Sequence, residues 1–292
     1  MSISARPLVR CFYDERTGSL QYVVADPVTR RCAIIDPVLD YDEKSATTAT
    51  HHADAILAYI AEQGLVLEWI LDTHPHADHF SAASYLKEKT GVPTAIGCEV
   101  VKVQALWRKL YNMQNLACDG SQWDRLFADG ERFTIGDMEV RVIHSPGHTL
   151  ASITYVIGDA AFIHDTLFMP DSGSARADFP GGSAEILWSS IETILALPDD
   201  TRLFTGHDYC PDGRDPLWES TVAEQKAKNI HLQGSRAEFI EARKARDATL
   251  PFPKLLLHAL QINLNSGALP PAEDDGRRYL KIPLNAFADV NW

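Results

Sequence analysis

The chain has 292 residues, of which 45% are hydrophobic, 9% aromatic and 23% charged, so it can bury the core of one large domain or of one domain with a smaller appendage. This composition argues against a disordered, collagen-like or coiled-coil chain, and a formal charge of -13 disfavours nucleic acid or anionic lipid as a partner. The five cysteines form no CxxC pair, so neither a disulfide framework nor a zinc ribbon is predicted and a reducing compartment is expected.

The sequence also contains no segment typical of membrane targeting. Residues 1–15 have no apolar stretch of the length that a secretory signal needs, and no other segment approaches the roughly 20 apolar residues of a membrane span. We therefore expect a cytoplasmic protein without a membrane partner, although a cleaved organellar transit peptide would leave the same pattern.

The first half of the chain alternates predicted strands and helices. The segments are, in chain order, β-rich 21–26 and 32–36, a helix over 53–63, the apolar strand LVLEWILDT, then 80–89, 95–96 and a helix over 100–112. The first two segments predict a hairpin. The alternation as a whole is typical of an α/β layer.

The second half begins with two predicted hairpins in series. RFTIGDMEVRVIHS turns at Gly136 and Asp137, and SITYVIGDAAFIHD turns at Gly158 and Asp159. They are followed by a helix over 184–197, a short strand over 202–204, a helix over 221–228 and a charged helix over 236–246 that we expect on the outside. The two rounds of strands and helices predict two β-layers packed face to face with helices outside.

Residues 72–79 (DTHPHADH) place three imidazoles and a carboxylate within six residues at the end of a predicted strand. These are His74, His76, Asp78 and His79. Open α/β sheets place their sites at the carboxyl ends of strands. The alternative is a polar loop of surface histidines, but four ligand-type residues seldom cluster without a metal. The segment therefore predicts a metal site.

Three further motifs each follow a predicted strand downstream. They contribute His148 in SPGHT, Asp165 in HDTLF and His207 in GHDY. A single strand-end histidine is more often an ordinary polar residue, and a single aspartate is usually a helix cap. Together with residues 72–79, the three motifs are far more specific.

In this order the four motifs resemble those of the metallo-β-lactamase superfamily, in which HxHxDH is followed by a later His, an Asp and a last His. The resemblance spans residues 10–230. It implies an α/β fold, namely an αββα sandwich of two mixed β-sheets with outer helices and the site at one edge between the sheets. Residues 231–292 are expected to form a C-terminal extension packed on this catalytic domain.

Within the superfamily the sequence is most similar to the persulfide dioxygenases and the related rhodanese-associated hydrolase-like proteins. The segments ARADFPGG, LPDDTRLFTGHDY and VAEQKAKN carry this similarity. It implies one Fe(II) per chain held by His74, His148 and Asp165, a 2-His-1-carboxylate triad that leaves three positions open. The implied reaction oxidises glutathione persulfide, or a similar low-molecular-weight persulfide, with O2 to sulfite and thiol.

The remaining predicted catalytic residues are His76, Asp78, His79 and His207. In a mono-iron enzyme they would hydrogen-bond the metal ligands or the bound reactants. In zinc hydrolases such as glyoxalase II they complete a two-metal site, so the alternative is a dinuclear zinc thioester hydrolase in which Asp78 and a bridging hydroxide attack the acyl carbon. A metal-dependent binding or sensing protein would need the open positions blocked, and no sequence feature suggests a blocking side chain.

The resemblance also implies substrate contacts. Arg176 would clamp a substrate carboxylate, unless it ties its loop to an acidic neighbour, and Tyr209 would line the site. His231 stands where relatives have Arg and would be a weaker clamp, while Asn265 matches a substrate-contacting Asn. The reactants are a small persulfide and O2, whereas a homo-oligomer and a rhodanese in the same pathway stay open.

Two more histidines flank the predicted ligands. His164 stands where relatives have Gly before the metal-binding Asp165, and His144 precedes SPGHT. We expect both to be outward-facing strand residues rather than additional site groups.

Overall fold

Two mixed β-sheets packed face to face form the centre of the computed structural model, which describes residues 6–287. In chain order the elements are β1 (Leu8–Asp14), β2 (Ser19–Ala25), β3 (Arg31–Ile35), β4 (Val38–Asp42), β5 (Thr47–Ala49), α1 (His51–Glu62), β6 (Val66–Leu71), β7 (Phe80–Ser81), α2 (Ala83–Thr90), β8 (Thr94–Gly97), α3 (Val100–Tyr111), β9 (Arg125–Phe127), β10 (Arg132–Ile135), β11 (Met138–His144), β12 (Ile153–Ile157), β13 (Ala160–His164), α4 (Ala184–Leu195), β14 (Arg202–Thr205), β15 (Glu219–Thr221), α5 (Val222–Lys228), α6 (Arg236–Asp247) and α7 (Leu256–Asn263).

The first sheet has the strand order β1-β2-β3-β6-β8-β9, and the second has the order β10-β11-β12-β13-β14-β15. In the first sheet β3, β6, β8 and β9 pair in parallel, and in the second β13 pairs in parallel with β14. Parallel neighbours need long connections, and α1 and α2 supply two of them. The predicted αββα sandwich of two mixed sheets is confirmed.

The two sheets bury one continuous core between their inner faces. Leu20 and Val24 of the first sheet lie in the same cluster as Val140 and Tyr155 of the second. Leu20 and Val24 are an even number of positions apart on one strand, and Val140 and Tyr155 lie on neighbouring strands. This is expected when alternate side chains face the partner sheet. The outer helices cover the opposite faces.

The two predicted hairpins of the second sheet are confirmed, since β10 pairs with β11 and β12 with β13 across the expected turns. The patterns do not predict β1, the short strands β9 and β15, the small sheet β5-β4-β7, or α7. Residues 80–89 begin as the two-residue strand β7 before the helix starts at Ala83. Strands this short are decided by their pairing partners rather than by their own side-chain alternation.

Helices α6 and α7 pack against the sandwich. Phe239 of α6 is buried beside α4, and α7 places Ala259 and Ile262 in the core cluster that also contains residues of β3 and α1. The division of the chain at residue 230 stays a prediction. Within residues 6–287, no helix combines the length and apolarity that crossing a membrane requires.

Candidate metal centre

Three buried side chains from three different loops converge at one edge of the sandwich. His74 follows β6, His148 follows β11 and Asp165 follows β13 directly. One ligand atom from each lies within 4.8 Å of the other two. The strand ends bring these residues together although 91 positions separate the first from the last in the sequence.

His74 is held with one ring nitrogen turned towards this point. The Thr73 hydroxyl donates to Asp36 Oδ2 at 2.8 Å, so its oxygen accepts from His74 Nδ1 at 3.0 Å. His74 Nε2 is buried and has no hydrogen-bond partner among the described residues. Burial, with the neighbouring His76 and His148, holds the pKa of His74 well below its usual value, so the ring is neutral and its Nε2 lone pair is available to a metal.

The other two members of the triad are oriented in the same way. His148 Nδ1 donates to the Arg176 carbonyl at 2.9 Å, which leaves its Nε2 lone pair 3.6 Å from Asp165 Oδ2. Asp165 Oδ1 accepts from His207 Nδ1 at 2.7 Å. Burial opposes ionisation of Asp165, but His207 outweighs it and lowers the pKa of Asp165 to about 2. Such outer hydrogen bonds are typical of metal ligands, and this donor set fits Fe(II) or Zn(II).

A second group lies beside the triad. Ligand atoms of His76, Asp78 and His79 also lie within 4.8 Å of one another, and His76 belongs to a third such group with Asp36 and Asp72. His76 Nε2 is 3.0 Å from Asp36 Oδ1. Burial disfavours the imidazolium, but the Asp36 carboxylate outweighs burial and raises the pKa of His76.

His207 joins the two groups. Its Nδ1 is 2.7 Å from Asp165 Oδ1 and its Nε2 is 2.5 Å from Asp78 Oδ2. Although burial disfavours the charged ring, the two carboxylates raise the pKa of His207 well above its usual value. The buried imidazolium therefore neutralises part of the negative charge that the two carboxylates bring into the site.

Sequence reasoning missed two buried residues that position this region. Ser19 Oγ lies 3.1 Å from both His79 Nδ1 and His207 Nε2. Asn263 Nδ2 donates to the backbone carbonyls of His76 at 2.8 Å and His79 at 2.7 Å, while its Oδ1 accepts from the Ser81 amide. An asparagine inside the apolar run of α7 is the one signal that could have indicated the second residue.

The expectation that His164 faces outward is wrong. The pairing of β13 with β14 shifts register between Phe162 and His164, and His164 has a φ of 42°. This irregularity breaks the strand alternation and turns the ring inward, where Nε2 lies 2.9 Å from the hydroxyls of Ser145 and Thr166. Burial lowers the pKa of His164 to about 3. His144 is half-buried and donates from Nε2 to the Leu150 carbonyl.

A cavity of about 870 Å³ opens onto the triad, and its lining includes His148, Asp165 and Arg176. The Arg176 guanidinium donates to both carboxylate oxygens of Asp178, at 2.7 and 2.8 Å, and to the Pro251 carbonyl at 2.6 Å. Arg176 is therefore paired with an acidic neighbour, which is the alternative to a substrate clamp that the sequence left open. A substrate contact by Arg176 stays a prediction.

The other predicted substrate residues differ in their placement. Tyr209 lines the cavity and stacks on His207 with ring centroids 5.7 Å apart. His231 also lines it, but its Nδ1 accepts from the Ser174 amide at 2.9 Å, and burial with Arg243 and Arg246 lowers the pKa of His231, so it is a neutral group rather than a cationic clamp. Asn265 donates to the Gln261 carbonyl and is not among the described residues that line the cavity.

Comparisons with known proteins agree with this geometry. A family model described as "Metallo-beta-lactamase superfamily" matches residues 15–207. The chain is 67% identical to the "Beta-lactamase hydrolase-like protein" of Xylella fastidiosa, over 98% of this chain and 67% of that protein. It is 31% identical to "Persulfide dioxygenase ETHE1, mitochondrial" of Mus musculus, over 92% and 93% of the two chains. The crystal structure of ETHE1 from Myxococcus xanthus matches with a TM-score of 0.72 and 31% identity, over 89% of this chain and all of that one.

Proposed function

The chain belongs to the metallo-beta-lactamase superfamily, and from this premise we propose that it is an iron-dependent persulfide dioxygenase. The reaction oxidises glutathione persulfide, or a similar low-molecular-weight persulfide, with O2 to sulfite and the thiol. The observation that carries the proposal is the group of His74, His148 and Asp165, whose ligand atoms lie within 4.8 Å of one another. Two imidazoles and one carboxylate are the ligand set of non-haem Fe(II) oxygenases.

When bound, ferrous iron supplies the positions at which the persulfide sulfur and O2 are brought side by side, and the redox chemistry between them. The chain's own residues hold the ligands for that task. The Arg176 carbonyl fixes the tautomer of His148, so that its Nε2 faces the triad without rearrangement. His207 holds the Asp165 carboxylate ionised and in place through the 2.7 Å hydrogen bond to Oδ1.

Two residues that a two-metal site requires lie beside carboxylates of the protein. His76 Nε2 lies 3.0 Å from Asp36 Oδ1, and Asp36 is itself held by the Thr73 amide and hydroxyl. His207 directs both of its ring nitrogens at carboxylate oxygens, those of Asp165 and Asp78. The His207 contacts favour one metal ion over two. Like His74 Nε2, however, the Nε2 atoms of His76 and His79 are buried without a hydrogen-bond partner among the described residues, and this supports the two-metal alternative.

A dinuclear zinc thioester hydrolase is the second candidate function. It is favoured by the group of His76, Asp78 and His79, whose ligand atoms also lie within 4.8 Å of one another, and by the hydrolase-like name of the Xylella fastidiosa relative. Such an enzyme would cleave an acyl thioester without consuming O2, so the two functions differ in metal content, in oxygen uptake and in product.

Metal analysis and oxygen uptake test the proposal. The protein would be purified without added metal, its iron and zinc quantified by mass spectrometry, and O2 consumption followed with glutathione persulfide. We expect one iron per chain and O2 uptake that yields sulfite. Two zinc ions per chain, with thioester hydrolysis and no O2 uptake, would contradict the proposal and favour the hydrolase.

Substitutions test the ligand assignment separately. Removing any one of the three protein ligands should abolish iron binding. The variants that test this are His74→Ala, His148→Ala and Asp165→Ala. Asp78→Ala and His207→Ala should keep much of the iron while losing activity, because outer partners of metal ligands commonly change affinity or rate by roughly 10- to 100-fold. His51→Ala, an exposed histidine at the start of α1, is the matched control.

Near-stoichiometric iron in any of the three ligand variants would refute the assignment. Complete loss of metal from both Asp78→Ala and His207→Ala would instead indicate that these residues are themselves ligands of a two-metal site.

A further inference from the structure

A smaller cavity of about 210 Å³ adjoins the site cavity, and we call it the annex. The two cavities have lining residues in common: Ser174, Ile230, His231, Arg243 and Arg246. The annex is walled by α6 and by the segment 230–234 that precedes it. A molecule whose reacting end lies at the triad can therefore extend along the site cavity towards the annex.

One basic side chain at this junction has no ion-pair partner within residues 6–287. Five Lys and Arg residues line the site cavity, and Arg16, Arg176, Arg243 and Lys254 each form an ion pair. Arg246 is exposed and has neither an ion pair nor a side-chain hydrogen bond among the residues that the structure describes. In a chain with a formal charge of -13, an unmatched guanidinium at the junction of two cavities is a local centre of positive charge.

The wall beside Arg246 is built and buried. Arg243 is 5% exposed, pairs with Asp247 at 2.6 Å and donates to the Ser174 carbonyl at 3.1 Å, while its Nε has no hydrogen-bond partner among the described residues. Asp247 Oδ2 accepts from the Ala177 amide at 2.8 Å. These contacts fix α6 against the loop that carries Arg176, so the position of Arg246 relative to the triad is set by the fold.

Among the described residues, one acidic residue, Glu238, lines the annex, and it forms no ion pair with Arg246. Glu238 Oε2 accepts from both the amide and the hydroxyl of Ser235, as part of the capping box at the start of α6. Its carboxylate is therefore already held by the helix terminus. Arg246 is the exposed annex residue whose guanidinium donates no hydrogen bond to any described residue, whereas the unpartnered Nε of Arg243 is buried. A guanidinium offers a planar fork that matches a carboxylate.

We propose that the annex is a binding subsite for a carboxylate of the thiol-bearing substrate, with Arg246 as its ion-pair partner while the substrate sulfur lies at the triad. The inference rests on the proposed function only in placing the substrate sulfur there, and a thioester of the same thiol would occupy the subsite equally. It assigns substrate recognition to Arg246, whereas Arg176 is engaged by Asp178 and Pro251.

The test compares two ligands that differ in the charge of their carboxylates and in the two ethyl groups that mask it. Binding of glutathione and of its diethyl ester to the iron-loaded protein would be measured by anaerobic calorimetry, which requires no turnover. Wild type should bind glutathione more tightly than the ester, and Arg246→Met should weaken glutathione binding roughly 10-fold, the lower end for a charged hydrogen bond because the side chain is exposed. Binding of the ester and iron content should not change.

Arg236→Met is the matched control, because Arg236 is exposed on the same helix and lines neither cavity. It should keep the wild-type preference for glutathione over the ester. The proposal is overturned if wild type does not discriminate between the two ligands, or if Arg246→Met and Arg236→Met have equal affinities for glutathione. Failure of the dioxygenase function would be recognised separately, as absence of O2 uptake in a protein that still discriminates between these ligands.

Discussion

Gly206 leaves room for the carboxylate of Asp165, and filling that room should weaken metal binding. A Cβ added at Gly206 would lie 2.4 Å from Asp165 Oδ1 and 3.2 Å from the backbone carbon of His164. The backbone at Gly206 does not have a positive φ, so alanine is conformationally allowed there. The effect of Gly206→Ala should therefore come from this contact rather than from backbone strain.

The magnitude follows from the displacement that the contact imposes. An ordinary carbon–oxygen contact begins near 3.4 Å, so Oδ1 must move by about 1 Å from its 2.4 Å position. That shift would stretch its 2.7 Å hydrogen bond with His207 beyond hydrogen-bonding range. A hydrogen bond between charged groups contributes about 1.5–3 kcal/mol, so iron affinity should fall roughly 10- to 100-fold.

Anaerobic titration against a chelator of known affinity would measure the iron dissociation constant, with circular dichroism to show that the variant is folded. Gly234→Ala is the control, because its Cβ would meet only the flexible Glu238 side chain, at 3.0 Å. Iron affinity of folded Gly206→Ala within a factor of two of both wild type and the control would refute the argument that the Asp165–His207 contact supports the metal ligand.

Two further predictions concern stability. Asn263→Ala leaves the His76 and His79 carbonyls and the Ser81 amide without their partner, so we expect the free energy of unfolding in urea to fall by roughly 2–4 kcal/mol. For the control Asn265→Ala we expect a loss of less than about 1 kcal/mol. Similar losses in both variants would contradict this prediction. Burial lowers the pKa of His164 to about 3 in the native protein. Between about pH 3 and 6.5 the unfolded chain therefore binds a proton at this residue that the native metal-free protein does not bind. The free energy of unfolding should fall as pH decreases through this range. The slope should be smaller for His164→Gln in acid titrations of stability, and an unchanged slope would show that His164 is not the group responsible.

The strand ends that carry the site, and the ligand-type residues that follow them, were accessible from local patterns. Each of His74, His148 and Asp165 directly follows, or lies within four residues of, a strand with a strong apolar pattern, and strand ends meet at a sheet edge. The resemblance then implied that these three residues hold one metal ion, and the structure brings their ligand atoms within 4.8 Å of one another. The predicted αββα architecture followed from the resemblance and from the two rounds of strands and helices.

Other features depend on contacts between distant segments. His164 departs from strand alternation because the pairing of β13 with β14 shifts register, which a single strand cannot reveal. Ser19 reaches His207 across 188 positions, and Asn263 reaches His76 across 187. Neither contact leaves a periodic signal in its own segment.

The sequence alone therefore determined an α/β chain with metal-ligand residue types at its strand ends, because these depend on local apolar periodicity and on short motifs. The αββα sandwich and the edge at which the site lies came from the resemblance that those motifs carry. Only the tertiary structure decided how those residues are used. In the folded chain His76 lies beside Asp36, Arg176 pairs with Asp178, and Arg246 lies at the junction of two cavities with no ion pair to another described residue. The reason is physical: a polar side chain's partners are selected by proximity in the folded chain, and its own residue type specifies only what it is able to bind.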